Sequence, residues 1–164
     1  MLGVVIKLKN WLIRSLEIAV MLVMGFLVID VVLGVFTRYV IGHQTEWTEE
    51  LAKILLVWVS MLGASIGFIR KSHLGVDYFV NKLSEKGKII GEVVVYLFIA
   101  VFASVVLIYG GSRLVYSAYV NEQTTSALQW YWYKIYLVVP ICGFFIIIFC
   151  IETVLENIFL FFKK

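Results

Sequence analysis

Apolar residues in this chain gather into four long runs joined by short polar connections. The runs lie at about Leu16–Phe36, Leu51–Ile69, Ile89–Ile108 and Ile135–Phe149, the last prolonged by mixed residues to 157 and beyond. A bilayer core of about 30 Å is crossed by about 20 helical residues rising about 1.5 Å each, and every run approaches that length. In lipid a backbone must satisfy its own hydrogen bonds, so runs this long are helices. The pattern predicts an all-α integral membrane protein with four transmembrane helices.

Finer features sit on that frame. Thr45-Glu46-Trp47-Thr48-Glu49-Glu50 reads as the start of the second span, with a threonine to cap it, acids in the first turn and a tryptophan at the interface. Ser60, Gly63, Ala64 and Gly67 then repeat at helical spacing, a stripe of small residues on which another helix backbone can approach closely. Val76, Phe79, Val80 and Leu83 recur at helical spacing among polar residues and predict a short amphipathic segment between the second and third spans. The third span is expected to run out through Gly110-Gly111 to Arg113. Trp130, Tyr131, Trp132, Tyr133 and Tyr136 form an aromatic belt before the fourth span, which Pro140 is expected to kink. Met1–Ser15, a mixture of apolar and basic residues, either lies along the headgroups or simply begins the first helix.

Composition leaves no room for a second domain: 62% of the 164 residues are hydrophobic, and residues 1–164 read as one membrane domain. Charge placement sets the topology. Ten of the 14 basic residues precede the first span, separate the second from the third, or close the chain. The positive-inside rule then puts both termini and the central loop in the cytoplasm, which four spans permit. Basic residues so placed give no reason to expect nucleic acid as a partner. The first apolar run is too long for a secretory signal and is read as retained. Cys142 and Cys150 lie eight residues apart in one helix, about 12 Å by rise, and are read as small buried apolar residues.

Chemistry has few places to reside. His43 and His73 fall in connections, where neither can ligate a haem within the spans, and no metal, nucleophile or redox motif occurs. No enzymatic activity and no cofactor are expected. Asp30 is the deepest ionisable residue, about 6 Å by rise from the middle of the first span. At about 2.5–3.5 kcal/mol on insertion scales, it should have a partner. Lys53, snorkelling from the second span, is the preferred one. An intersubunit contact and ion handling are the alternatives. Glu17 is expected to pair locally with Arg14, and Glu92, Glu152 and Glu156 to form interfacial ion pairs.

The same residues compose a pattern. Arg38-Tyr39-Val40 ends the first span; Trp47-Thr48-Glu49-Glu50-Leu51 opens the second, followed by Trp58 and Gly63-Ala64. Arg70, His73 and Val76-Asp77 follow in the central loop, then Ser126-Ala127-Leu128, Tyr136, Pro140 and Gly143. Together they resemble the small membrane subunit of a tripartite ATP-independent periplasmic (TRAP) transporter, the DctQ-like family, over about residues 16–150. One departure is the missing proline between Ser126 and Ala127. The resemblance implies a multi-pass protein of a bacterial inner membrane, partnered with a large elevator-type membrane subunit, a periplasmic substrate-binding protein and membrane lipid. It implies a non-transporting scaffold for sodium-driven uptake of an organic acid, C4-dicarboxylate or sialic acid in type. Arg38, Tyr39, Trp47, Glu49, Glu50, His73 and Asp77 are then candidate partner contacts. Two rival readings are an autonomous proton-coupled transporter using Asp30 and a membrane anchor for a redox complex.

Overall fold

The computed structural model describes residues 2–43, 45–70 and 85–163, with side chains at 10–43, 45–70, 87 and 90–155. The predicted amphipathic segment at 76–83, with His73 and Asp77, lies outside the described residues, as does the Glu156 side chain. Among the described residues there are six α-helices: α1 (Leu2–Val40), α2 (Glu46–Ile69), α3 (Glu85–Phe102), α4 (Gly111–Val120), α5 (Trp132–Tyr136) and α6 (Val138–Lys163). A π-helical stretch, Ala103–Gly110, joins α3 to α4 without interruption. Among the described residues four segments are long and apolar enough to cross a bilayer: Asn10–Val40, Glu46–Ile69, Ile90–Val120 and Trp132–Leu155. The four-span, all-α reading is correct, and the mixed N-terminal segment is part of α1 from Leu2 onward.

Two boundaries differ from the sequence reading. The third span does run out through Gly110-Gly111, but it passes Arg113 and continues as helix to Val120. Gly110 is exposed, and Gly111 serves packing. A Cβ on Gly111 would stand 2.9 Å from Val139 and 3.1 Å from Pro140, and one on Gly143 would stand 2.7 Å from Leu107 and 3.0 Å from Ile108. Close backbone approach between the π-helical stretch and the start of α6 is what both positions secure. The Ser104 hydroxyl donates back to the Ala100 carbonyl (2.8 Å), a side-chain bond that competes with the helix ladder beside the change of winding.

Near its start, where Pro140 is expected to kink it, the fourth span is interrupted for the single residue Leu137, whose dihedrals stay helical (φ −55°, ψ −26°). Lacking an N–H, Pro140 cannot donate to the Tyr136 carbonyl four residues earlier, and α5 ends at Tyr136. The helix resumes at Val138, placing Pro140 in the first turn of α6, where a missing donor costs nothing.

In space the spans form a row rather than a closed bundle. Helix α1 packs on α2, α2 on α6, and α6 on α3 and its π-helical continuation; α1 and α3 share no substantial interface among the described residues. Consequently only 6% to 28% of each spanning window is buried within the chain. Between residues 21 and 40, only Val23, Leu27, Asp30, Gly34 and Thr37 of α1 are not exposed. That alternating four-and-three spacing continues from the buried Leu16 and marks a single narrow seam against α2. The centre of the row is a cluster of Leu16, Leu62, Val138 and Cys142, with Trp58, Met61 and Phe145 packed around it. Both cysteines are buried free thiols.

The ends of the row differ in character. At the basic end Arg70, capping α2, pairs with Glu17 of α1. Glu17 thus reaches across to another helix instead of pairing with Arg14. Nearby, Phe68 of α2 meets Tyr96 of α3 edge-on at 5.7 Å. The opposite end carries Trp47 and the cluster at 130–136; it is called the aromatic end below.

Replacing Gly143 by valine should disrupt the contact between the π-helical stretch and α6, because the added carbons meet the Leu107 stem and the Ile108 backbone nitrogen. An overpacking cost of about 1–3 kcal/mol is expected. Gly63→Ala, where a Cβ meets nothing within 4 Å, should be neutral. Thermal unfolding of both variants in detergent, followed by size-exclusion profile, checks the contrast.

Candidate functional site: a carboxylate clamp at the aromatic end

Helix α2 begins where the chain turns back from α1. Gly42 supplies the left-handed conformation of that turn (φ +85°). Thr45 occupies the N-cap position with an extended backbone, but its hydroxyl caps no amide; it meets the Thr48 hydroxyl at 3.1 Å. Thr48 in turn donates to the Thr45 carbonyl (2.8 Å) and is fully buried. This closed pair fixes the first turn and so aims the acids that follow.

Glu50 is the focus of the end. Its carboxylate accepts three consecutive backbone amides from the connection between α4 and α5: Ser126 (2.8 Å), Ala127 (2.9 Å) and Leu128 (2.7 Å). Successive amides converging on one anion form a concave donor nest, and charge-assisted bonds of this kind are the strong ones. The connection is itself closed into a turn by Thr125, whose amide donates to the Trp130 carbonyl (2.8 Å) and whose hydroxyl accepts the Trp130 amide (2.9 Å). An antiparallel bridge joins Thr124 to Tyr131, and the Trp132 amide reaches the Gln123 carbonyl at 2.9 Å. Glu122 and Gln129 take left-handed conformations (φ 46° and 55°) at the corners.

The clamped turn feeds directly into the aromatic belt. Trp132 stacks on Tyr136 (5.4 Å between centroids), Tyr133 contacts Tyr131 (5.5 Å) and Tyr119 (5.4 Å), and Lys134 Nζ lies 5.7 Å from the Tyr131 ring. Beneath it, Val23, Ile54, Leu55, Trp58, Trp130 and Ile135 line an apolar cleft of about 520 Å³, with Gln129 and Lys134 at its edge.

The other predicted contacts separate into two groups. Arg38, Tyr39, Trp47 and Glu49 all face outward, Tyr39 being 82% exposed. Glu50 does not; it is spent on the chain's own loop. Lys53 and Asp30 do not form the expected pair. Lys53 Nζ binds Glu49 at 2.7 Å, one turn back on the exposed side of α2, with both side chains more than half exposed. A local partner four residues away spares the ammonium the desolvation that reaching Asp30 would require. Asp30 is buried at 4% exposure, and neither carboxylate oxygen has a hydrogen-bond partner among the described residues. The small-residue stripe is not used within the chain either. Ser60 and Ala64 are exposed, and a Cβ at Gly63 or Gly67 would meet nothing within 4 Å. Among the described residues no group of three His, Cys, Asp or Glu side chains could hold a metal.

Ser126-Ala127-Leu128 stands out in the sequence only as a string. Its role rests on three backbone donors, which have no side-chain signature. The cue lies in Glu50 itself: a third acid where the Glu46–Glu49 pair already satisfies the start of the helix.

A model of the family described as tripartite ATP-independent periplasmic transporters, DctQ component, matches residues 27–160. The chain belongs to the DctQ family. This DctQ-family chain is 35% identical over 69 residues to the sialic acid TRAP transporter small permease protein SiaQ of Vibrio cholerae serotype O1, covering 42% of this chain and 39% of that protein. It is 36% identical over 80 residues to the sialic acid TRAP transporter permease protein SiaT of Haemophilus influenzae, covering 49% of this chain but 12% of that one. With the C4-dicarboxylate TRAP transporter small permease protein DctQ of Rhodobacter capsulatus it shares 27% over 103 residues, covering 60% and 43%. The matched stretches span at most about half the length of these curated relatives.

Removing the clamp should free the turn. Hydrogen exchange at the Ala127 and Leu128 amides should be slowest in the native chain, faster in Glu50→Gln, which keeps one carbonyl acceptor, and fastest in Glu50→Ala. Amide exchange read by mass spectrometry on the peptide spanning 123–131 checks this order.

Proposed function

We propose that this DctQ-family chain is the small, non-transporting membrane subunit of a TRAP system in a bacterial inner membrane. It is read as having both termini and the central loop in the cytoplasm, so that the aromatic end faces the periplasm. The observation that carries the proposal is the row of helices: three successive seams hold it together, and the first and third spans, at its two edges, leave most of their residues facing outward. A carrier must enclose its solute between elements that move relative to one another. A row with wide unpartnered faces instead offers area to a neighbour. The belt of Trp and Tyr holds the row at fixed depth, which is what a static platform for an elevator needs.

The partner is read as the large permease subunit. A relative named as a single permease protein, SiaT, contains a stretch similar to this chain within a much longer polypeptide, and so does the isethionate permease protein DctMQ of Oleidesulfovibrio alaskensis. Fusion supports stable association of the two parts. At the aromatic end, Arg38, Tyr39, Trp47 and Glu49 remain outward and available to the large subunit or to a substrate-binding protein. Glu50 contributes by holding the turn that presents Gln129 and Trp130. The substrate is read as an organic acid, of sialic acid type before C4-dicarboxylate type, because two of the similar relatives are named for sialic acid.

Vesicles containing this chain, its large partner and the binding protein should accumulate the acid on a sodium gradient. Omitting this chain should lower uptake to the level of empty vesicles, and this chain alone should accumulate nothing. Uptake by the chain alone would refute the scaffold reading, and full uptake without it would refute its necessity.

A further inference from the structure

Asp30 is the one feature of the spans that the scaffold reading leaves without a purpose. It sits in the α1 seam between Leu27 and Gly34, is 4% exposed within this single chain, and has no hydrogen-bond partner for either oxygen among the described residues. Both carboxylate oxygens are shielded inside the seam, so a neighbouring subunit would meet them only after Asp30 or the seam itself moved. Burial inside the seam therefore argues against an intersubunit contact.

The charged groups around it are otherwise engaged or distant. Among the described residues only α2 packs substantially on α1. On α2, Glu49 and Lys53 are paired on the exposed side, Glu50 holds the loop amides, Glu46 is exposed at the helix start, and Arg70 pairs with Glu17 at the basic end. On α1, Arg38 is exposed and eight residues on, about 12 Å by rise, while Arg14 is more than four turns away. An ionised carboxylate buried without a cation or donor is strongly disfavoured, and such a group neutralises instead. A metal cation would need several oxygen ligands, whereas Asp30 offers one residue's worth. A proton needs only that.

We propose that Asp30 is a proton-binding site: it is a neutral carboxylic acid at neutral pH, and the neutral form is what lets α1 lie flush on α2. Loss of the proton leaves the electron pair of the O–H bond on the carboxylate and passes the proton to water. The resulting charge can be solvated only if the seam opens. The α1–α2 hairpin is then a two-state element governed by one titration, closed when protonated and parted when ionised. The inference concerns this chain alone and stands apart from the transport partner.

The test uses the full chain in lipid nanodiscs. Infrared spectroscopy at pH 7 should show a protonated-carboxyl carbonyl band that disappears in Asp30→Asn. Spin labels at the exposed positions Val31 and Leu56 should report one α1–α2 spacing at pH 7 in the native chain, in Asp30→Asn and in Asp30→Leu. At a pH high enough to abolish the band, the spacing should broaden and lengthen in the native chain only. An ionised Asp30 at pH 7 would overturn the proposal, and so would a spacing that stays fixed once the band is gone.

Discussion

Lipid gives transmembrane helices no hydrophobic reason to gather, because acyl chains are as apolar as leucine. Each helix already satisfies its own backbone, so a seam forms only where shape or polar chemistry creates one. This constraint explains why four spans make a row instead of a bundle. Helix α1 meets α2 through a narrow stripe of one residue per turn. The α2–α6 seam is centred on Leu62, Val138 and Cys142. The α6–α3 seam depends on Gly111 and Gly143, which let the π-helical stretch come into backbone contact with α6. No seam requires closure, and the faces between seams stay open.

A row is more easily deformed than a bundle, and polar ties at both ends compensate. Arg70 and Glu17 join α2 to α1 at one end. At the other, Glu50 draws three amides of a distant loop onto the start of α2, linking the first half of the chain to the second outside the apolar region. These ties lie where water and headgroups soften the cost of charge, and where their geometry is not left to lipid. Between them Asp30 is an exception, a polar residue in an apolar seam. An exception of that kind is a place where two packings can be close in energy.

Much of this was legible in the sequence. Hydropathy gave the four spans, aromatic clustering gave the anchored end, and the motifs from Arg38 to Gly143 resembled the family that the comparisons confirm. What escaped has a physical cause in each case. The third span was ended at Arg113, the first charge after a long apolar run, whereas the helix continues through polar residues to Val120. Lys53 was assigned to Asp30 by depth alone, while its azimuth on α2 turns it toward Glu49. The stripe from Ser60 to Gly67 was read as a close-packing surface, yet among the described residues nothing within the chain occupies it. Glu50 was singled out, but its ligands are backbone amides, which no pattern of side chains announces.

Most of the account depends on the spans standing side by side. Spin labels on the exposed residues Phe26 of α1 and Phe98 of α3, measured by electron double resonance in nanodiscs, test that directly. Neighbouring helix axes lie about 8–10 Å apart, so a row of four places α1 and α3 about 20–30 Å from each other. A label separation in that range is the predicted result. A separation near a single helix spacing of about 10 Å would mean a closed bundle and would contradict the account.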